Sequence, residues 1–195
     1  MADGVSALEV EIRRQAFGDH EVLRDLRFTG AAGETLAVLG PSGSGKSTLL
    51  RILAGLDDDF EGSVRRPERV AMVFQEPTLL PWRRAIENLT LVTGVSRAQA
   101  EAALAEVGLA GRGTLYPRQL SLGQQRRLAL ARAFATRPEL LLLDEPFVSL
   151  DARLVGEMLA LTEALIAATR PATVFVTHSV AEAERLASRV LRIGA

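Results

Sequence analysis

A segment rich in glycine and serine contains the residue types that bind phosphate groups. The segment consists of Gly40, Pro41, Ser42, Gly43, Ser44, Gly45, Lys46 and Ser47, and Thr48 follows it. It fits the pattern GxxxxGK[ST], in which glycines let backbone N–H groups turn toward phosphate oxygens. Lys46 is predicted to place its charge between two phosphates and Ser47 its hydroxyl on Mg²⁺. A merely flexible loop is the alternative, but the segment stands between a predicted strand and a predicted helix.

An acidic pair farther along the chain offers the metal-supporting group that a phosphate loop needs. Asp144 ends the apolar run 140–143, and Glu145 follows it. Successive side chains of a strand point to opposite sides, so the two carboxylates are expected to differ in direction. The pattern predicts Asp144 in the shell of Mg²⁺ and Glu145 beside the attacking water. An acidic helix cap before a turn at Pro146 is the alternative.

The elements that must position these groups alternate between strands and helices. Hydrophobic patterns predict strands over 5–12, 22–28, 34–39, 70–74, 140–143, 173–177 and 190–193, and helices over 46–55, 97–107, 122–136, 152–168 and 180–186. This order predicts an α/β fold: a P-loop NTPase sheet of mostly parallel strands, an N-terminal antiparallel β part and an inserted helical subdomain. Within one domain over 1–195, the core is predicted at about 1–82 and 138–195 and the helical subdomain at about 83–137.

Composition excludes several classes of protein. With 195 residues of which 48% are hydrophobic, the chain can bury a core, which excludes wholesale disorder. The 23 basic and 24 acidic residues give no electrostatic reason to expect a nucleic-acid partner. The absence of cysteine excludes disulfides, a thiol nucleophile and a cysteine zinc site. No apolar run is long enough to span a bilayer, so we expect a soluble or peripheral protein.

Five further motifs stand in order around these two sites. They are Phe17, Gln75, the run Leu120-Ser121-Leu122-Gly123-Gln124, the run Ser149-Leu150-Asp151, and His178. Together with the phosphate loop and the acidic pair, they resemble the ATP-binding cassette ATPases, the motor subunits of ABC transporters. The resemblance covers nearly the whole chain, and the run that begins at Leu120, similar to the family signature LSGGQ, separates this family from P-loop kinases and GTPases.

The resemblance implies a role for each residue that would meet ATP within one chain. It implies that Phe17 stacks on adenine, that Gln75 contacts Mg²⁺ and water, and that His178 contacts the γ-phosphate. It also implies that Glu145 polarises the attacking water, with Mg²⁺ as cofactor and ATP as substrate. Taken alone, Phe17 would be a core residue, Gln75 a turn residue and His178 a helix cap.

The resemblance further implies that two cassettes form a dimer around two ATP molecules. Ser121, Gly123 and Gln124 of one chain would then complete the site of the other, and Asp151 would belong to the D-loop. Ser121 is also a plausible N-cap of the helix 122–136. Leu122 departs from the family pattern, which has glycine there. Leucine disfavours positive φ and adds bulk near the phosphate, which bears on the strength of that contact. Because Ser121, Gly123 and Gln124 remain, we expect the contact itself to survive.

The segment 73–89 (VFQEPTLLPWRRAIENL) resembles the cassettes of nitrate-, sulfonate- and taurine-type bacterial importers. This resemblance implies import of a small solute, such as an oxyanion or a sulfonate, through a separate transmembrane permease that docks near 75–91. It implies a homodimer, an indirect solute-binding protein, a peripheral place on the cytoplasmic face of the cell membrane, and no nucleic acid. An exporter cassette, or a regulatory or non-transport ATPase with weak turnover, remains the alternative. Since family members usually continue beyond the position of Ala195, a minimal cassette is expected.

Overall fold

The computed structural model describes residues 7–194, whose contacts divide them into two compact units. The first unit comprises residues 7–72, 139–145 and 170–194, and the second comprises residues 73–138 and 146–169. The phosphate loop and the acidic pair both belong to the first unit.

A five-stranded sheet follows from the apolar runs of the sequence. Its strands are β3 (Thr35–Leu39), β5 (Val70–Val73), β6 (Leu140–Asp144), β7 (Ala172–Thr177) and β8 (Arg189–Arg192), in the spatial order β5-β6-β7-β3-β8. Strand β3 pairs in parallel with β7 and β8, and β6 pairs in parallel with β7. β3 and β7 are buried at every position, as expected for strands covered on both faces.

The register of the parallel strands brings their carboxyl ends to one edge of the sheet. Leu39 lies opposite Thr177, and Asp144 lies opposite Val176. The residues that follow these positions are Gly40, His178 and Glu145. Residues that are far apart in sequence therefore meet at the edge where α/β sheets bind ligands.

A second, antiparallel sheet precedes the phosphate loop. Its strands are β1 (Leu8–Phe17), β2 (His20–Gly30) and β4 (Glu61–Arg65), in the order β2-β1-β4. In the first half of β1, buried Leu8, Val10 and Ile12 alternate with half-buried residues, the period of a strand that covers a core on one face.

Two helices complete the first unit. Helix α1 (Lys46–Ala54) begins after Gly45 and ends at Gly55, and α6 (Val180–Leu186) follows β7. The apolar face of α1 packs into the core that it shares with both sheets. The buried members of this core are Leu8, Val10, Ile12, Leu23, Leu26, Phe28, Leu36, Val38, Leu49, Leu50, Ile52, Leu53, Leu140, Leu142, Ala172, Val174, Val176 and Ile193.

The second unit is helical. It contains α2 (Ala85–Thr93), α3 (Arg97–Glu106), a 3₁₀ turn at Pro117–Gln119, α4 (Leu122–Ala135) and α5 (Ala152–Thr169). Helix α4 packs against α2, α3 and α5. Helices α3 and α4 each begin with a serine whose hydroxyl accepts a hydrogen bond from the residue three positions later, which fixes their starts. No helix within residues 7–194 is both long enough and apolar enough to cross a membrane.

The predicted α/β fold is confirmed, and most element boundaries agree within about two residues. The predicted strand 5–12 is β1, but its first two residues lie outside the described part of the chain, and β1 continues to Phe17. The predicted strand 22–28 extends over His20–Gly30. The prediction did not include β4 or α2. The proposed boundaries of the helical subdomain stay a prediction.

Candidate functional site

Lys46 is held in place by the backbone of its own loop. Its ammonium donates to the carbonyl oxygens of Gly40 (2.8 Å) and Pro41 (2.7 Å), and its Nζ lies 3.4 Å from Oε1 of Glu145. The side chain is only 5% exposed, so these partners replace the water that a buried ammonium would lose. A positive charge is thereby fixed between the phosphate loop and the end of β6.

The hydroxyl of Ser47 donates to Oδ1 of Asp144 over 3.2 Å, although the residues are 97 positions apart. Burial raises the pKa of Asp144, against the effect of the hydrogen bond from Ser47; the charge of Glu145 raises this pKa further and that of Lys46 lowers it. A carboxylate with raised pKa that faces a hydroxyl is a place where a cation would relieve an unfavourable charge.

Two adjacent oxygen donors suit Mg²⁺, which usually takes one or two protein ligands together with water and phosphate oxygens. Within residues 7–194, no group of three or more histidine, aspartate or glutamate side chains is placed to hold a metal ion. Ser47 and Asp144 therefore fit an ion that arrives with phosphate groups rather than one caged by protein alone.

Glu145 leaves β6 in a left-handed conformation, with φ of 43°. This conformation costs an L-residue about 1–2 kcal/mol, and a hydrogen bond from the Glu145 amide to the carbonyl oxygen of Val176 (3.0 Å) supports it. The carboxylate lies between Lys46 and His178, with 3.2 Å from its Oε2 to Nδ1 of His178. Asp144 and Glu145 thus have different partners, as expected, but the left-handed turn accounts for this rather than strand alternation.

The rest of the phosphate loop leaves polar groups available. The N-cap of helix α1 is Gly45, which has φ of 87° and offers the helix no side-chain cap. The hydroxyl of Ser44 is buried and has no hydrogen-bond partner among the described residues. Because a helix N-terminus without a cap presents unpaired N–H groups, this end of α1 suits an anion.

Two aromatic residues expected at the nucleotide differ in how firmly they are placed. The backbone on both sides of His178 is held: Ser179 caps α6 by accepting from the Glu182 amide (3.3 Å), and the Thr177 hydroxyl donates to the Glu182 carboxylate (2.6 Å). Phe17 ends β1 and is 57% exposed, which leaves its ring free to stack on a base and contradicts its alternative role as a core residue.

The remaining predicted residues lie in the second unit. Gln75 follows β5 and is exposed, and its backbone oxygen accepts a hydrogen bond from Arg126. Ser121 and Gln124 are joined reciprocally: the Ser121 hydroxyl accepts from the Gln124 amide (3.3 Å), and Oε1 of Gln124 accepts from the Ser121 amide (3.0 Å). Ser121 is therefore the N-cap of α4, as predicted.

Gly123 and Asp151 organise the contact between α4 and α5. A Cβ at Gly123 would lie 3.0 Å from Cδ1 of Leu154, so the glycine permits close approach of the two helices. Oδ1 of Asp151 accepts from the Leu154 amide (2.9 Å) and thereby caps the start of α5.

Leu122 departs from the family pattern without backbone strain. It is the first residue of α4 and does not have positive φ, so its backbone has no need of glycine. Its side chain is 48% exposed. Any effect of this substitution on a phosphate must therefore come from the bulk of the side chain.

Two buried polar residues were not found from the sequence. Arg126 is 6% exposed, and Asn88 is fully buried with four hydrogen bonds that hold the segment 80–84. Arg126 precedes the buried Leu130 and Ala133 by four and seven positions, so helical periodicity places it on the apolar face of α4. That periodicity was the signal available in the sequence.

Comparisons with known proteins agree on one family. The model of the family described as ABC transporter matches residues 23–148. The chain is 54% identical over 184 residues to the aliphatic sulfonates import ATP-binding protein SsuB 2 of Nocardia farcinica, with 91% of this chain and 76% of the relative covered. It is 50% identical over 192 residues to a protein of the same name in Rhodococcus jostii, with 95% and 78% covered. The chain thus spans about three quarters of the length of these relatives.

Similar solved structures include one that matches nearly the whole chain. It is the dimeric ATP-binding cassette MJ0796 in a post-hydrolysis state, bound to ADP and Pi. The TM-score is 0.81 at 28% sequence identity, and the match covers 95% of this chain and 94% of the other.

Proposed function

The chain belongs to the ABC transporter family, as an ATP-hydrolysing import subunit, and on that premise we propose that the imported solute is an aliphatic sulfonate. Support for this solute comes from the relatives, which carry that name at 54%, 52% and 50% identity. The observation that carries the ATPase function is the meeting of Ser47 with Asp144, since it joins the phosphate-loop helix to the acidic end of β6.

We propose that the phosphate loop, 40–48, holds the phosphates of ATP. The N-terminus of α1 and the ammonium of Lys46 supply positive charge to the phosphates. Ser47 and Asp144 would hold Mg²⁺, and the resemblance assigns Gln75 a further contact to it. When bound, this ion neutralises the negative charge that develops on the phosphate oxygens during hydrolysis.

Glu145 is proposed as the group that orients and deprotonates the attacking water. Its carboxylate already has two neighbours that hold its direction, Nζ of Lys46 at 3.4 Å and Nδ1 of His178 at 3.2 Å. Once ATP engages Lys46 and His178, the carboxylate is released to accept the proton of the water. Phe17 is proposed to stack on adenine, because its ring is exposed at the end of β1.

A second copy of the chain is proposed to complete each site. Ser121, Gly123 and Gln124 lie at the N-terminus of α4, an end that attracts phosphate. In a head-to-tail homodimer this end would face the γ-phosphate of the partner's ATP, with Asp151 in the D-loop beside it. The dimeric cassette with ADP and Pi supports this assembly.

The permease is proposed to dock on the segment 75–91 of the second unit. Trp82 and Leu91 there are 68% and 58% exposed, an apolar surface suited to another protein. The cassette would then be peripheral, on the cytoplasmic face of the cell membrane, and a solute-binding protein would act indirectly through the permease. Export, the alternative from the sequence, is not supported, because the relatives are import proteins by name.

Purification of the tagged chain from its native membranes, followed by reconstitution of what co-purifies in lipid vesicles, tests the proposal. We expect a multi-spanning permease, ATP-dependent uptake of an alkanesulfonate, and no uptake of the alkanecarboxylate of equal length. Glu145→Gln should bind ATP normally yet abolish both ATP hydrolysis and uptake. ATP-driven uptake of a different solute class would overturn the sulfonate assignment alone; normal hydrolysis by Glu145→Gln would overturn the role of Glu145.

A further inference from the structure

A buried arginine in the second unit joins three segments that the proposed function uses. Arg126 projects from α4, and its Nη1 donates to the carbonyl oxygens of Gln75 and Pro146, the latter over 3.1 Å. Its Nη2 donates to the carbonyl oxygen of Val148 over 3.3 Å. One guanidinium therefore connects the loop after β5, the loop after β6 and the helix that Ser121 caps.

The burial of this charge is unusual enough to need a reason. The side chain is 6% exposed, its Nε has no hydrogen-bond partner among the described residues, and none of their carboxylates forms an ion pair with it. Burial lowers the pKa of Arg126, which the nearby charge of Glu76 opposes. Hydrogen bonds to three carbonyl oxygens compensate the guanidinium for its lost hydration, so burial of this charge is stable only when both loops are in place.

The anchored atoms are backbone atoms next to proposed functional groups. The Gln75 carbonyl belongs to the residue whose amide the resemblance places on Mg²⁺ and water. Pro146 directly follows Glu145, and Val148 lies three residues before Asp151. Fixing these carbonyls holds the backbone from which the Gln75 side chain projects and the course of the chain that follows Glu145.

We propose that Arg126 is a positioning residue for ATP hydrolysis, which acts by locking the backbone of Gln75 and of residues 146–148 to the helix that carries Ser121. This inference rests on the proposed function. Arg126 is buried and acts through the backbone: it keeps Gln75 and the two loops in one arrangement, so a shift of α4 is shared by all three segments. A neutral or shorter side chain would let the two loops move independently.

Two neighbouring arginines of α4 provide matched controls. Arg127 donates to the Val107 carbonyl (3.3 Å) and pairs with Glu157 (3.1 Å), so it ties α4 to other helices and to neither loop. Arg132 donates to the carbonyl oxygens of Pro77 (3.0 Å) and Thr78 (2.9 Å), so it anchors the first loop without the second.

The test compares Arg126→Gln and Arg126→Lys with Arg127→Gln and Arg132→Gln in the transporter complex. For Arg126→Gln we expect kcat for ATP to fall about 10- to 100-fold, the range that misplacement of reacting groups by about 1 Å produces, with KM for ATP and affinity for ADP unchanged. Arg126→Lys keeps the charge but not the forked donors, so an intermediate kcat is expected. Arg127→Gln should leave kcat unchanged, and Arg132→Gln should lower it less than Arg126→Gln.

A double-mutant cycle with Gln75→Ala separates positioning from general loss of structure. Because Arg126 acts partly through the Gln75 amide and partly through residues 146–148, Arg126→Gln should lower kcat less in the Gln75→Ala background than in the wild-type background. Losses that multiply would overturn the inference, as would a normal kcat in Arg126→Gln or an equal loss in Arg127→Gln. If Arg126→Gln fails to fold, Arg126→Lys decides by the same cycle. A wild-type complex without ATPase activity would instead refute the proposed function itself.

Discussion

Alanine at Gly45 should destabilise the fold much more than alanine at Gly43, although both glycines have left-handed backbones in the same loop. The φ angles are 87° and 81°, so either alanine costs about 1–2 kcal/mol in backbone strain. At Gly45 the new Cβ would also lie 2.7 Å from Cγ1 of Val22 and 3.0 Å from the Val22 carbonyl oxygen, whereas at Gly43 nothing lies within 4 Å. Overpacking of this kind costs about 1–3 kcal/mol more.

Gly45→Ala should therefore lower the free energy of unfolding by about 2–5 kcal/mol and Gly43→Ala by about 1–2 kcal/mol. Urea unfolding of the two variants measures this difference. The effect on ATP affinity should have the opposite order: Gly43→Ala should weaken ATP binding more than Gly45→Ala, because we place phosphate on the open side of Gly43. Titration of each folded variant with ATP measures the second effect. Equal destabilisation by the two alanines would refute the steric argument, and normal ATP affinity in Gly43→Ala would refute the placement of the phosphate.

Three further predictions concern single side chains. Burial raises the pKa of Asp144 above its ordinary 3.8, so the contribution of this carboxyl to stability is full below pH 3.8 and is lost as pH rises through the raised pKa. In urea unfolding, Asp144→Asn should therefore become more stable relative to wild type as pH rises from acid to neutral. The same variant should lose the stabilisation that Mg²⁺ with ATP gives. Asn88→Ala should lower the free energy of unfolding by about 1–3 kcal/mol in the same assay, because the half-buried Leu80 amide loses its acceptor; a loss below about 1 kcal/mol would contradict this. Leu122→Gly should lower stability by no more than about 1 kcal/mol and lower the KM for ATP, and an unchanged KM would exclude an effect of the leucine on the phosphate.

The elements that the sequence predicted well are those with strong local patterns. β3, β6 and β7 are apolar runs buried by helices, and α1 follows a phosphate-binding pattern that tolerates few alternatives. Residues 61–65 (EGSVR) and helix α2 gave weaker signals. The first is a short polar edge strand that contains glycine, and it forms because β1 offers it hydrogen bonds.

Side-chain partners were harder to predict than elements. The sequence indicated that Asp144 and Glu145 would differ in direction, but it did not indicate the left-handed backbone of Glu145, which a hydrogen bond to Val176 of a neighbouring strand supports. The burial of Arg126 depends on carbonyl oxygens 20 to 51 residues away. Contacts at such separations are properties of the folded chain and leave only a faint periodicity in the sequence.

The way in which Lys46 is held has a consequence for selectivity among anions. An ammonium has three hydrogens, and here two are directed at loop carbonyl oxygens and the charge also faces Glu145. Any anion that binds the ammonium of Lys46 must compete with these partners. A small anion such as sulfate offers few new contacts in exchange, whereas a nucleoside triphosphate offers contacts along the whole loop. The loop should therefore bind small anions weakly and bind a nucleoside triphosphate, which contacts the whole loop, more tightly.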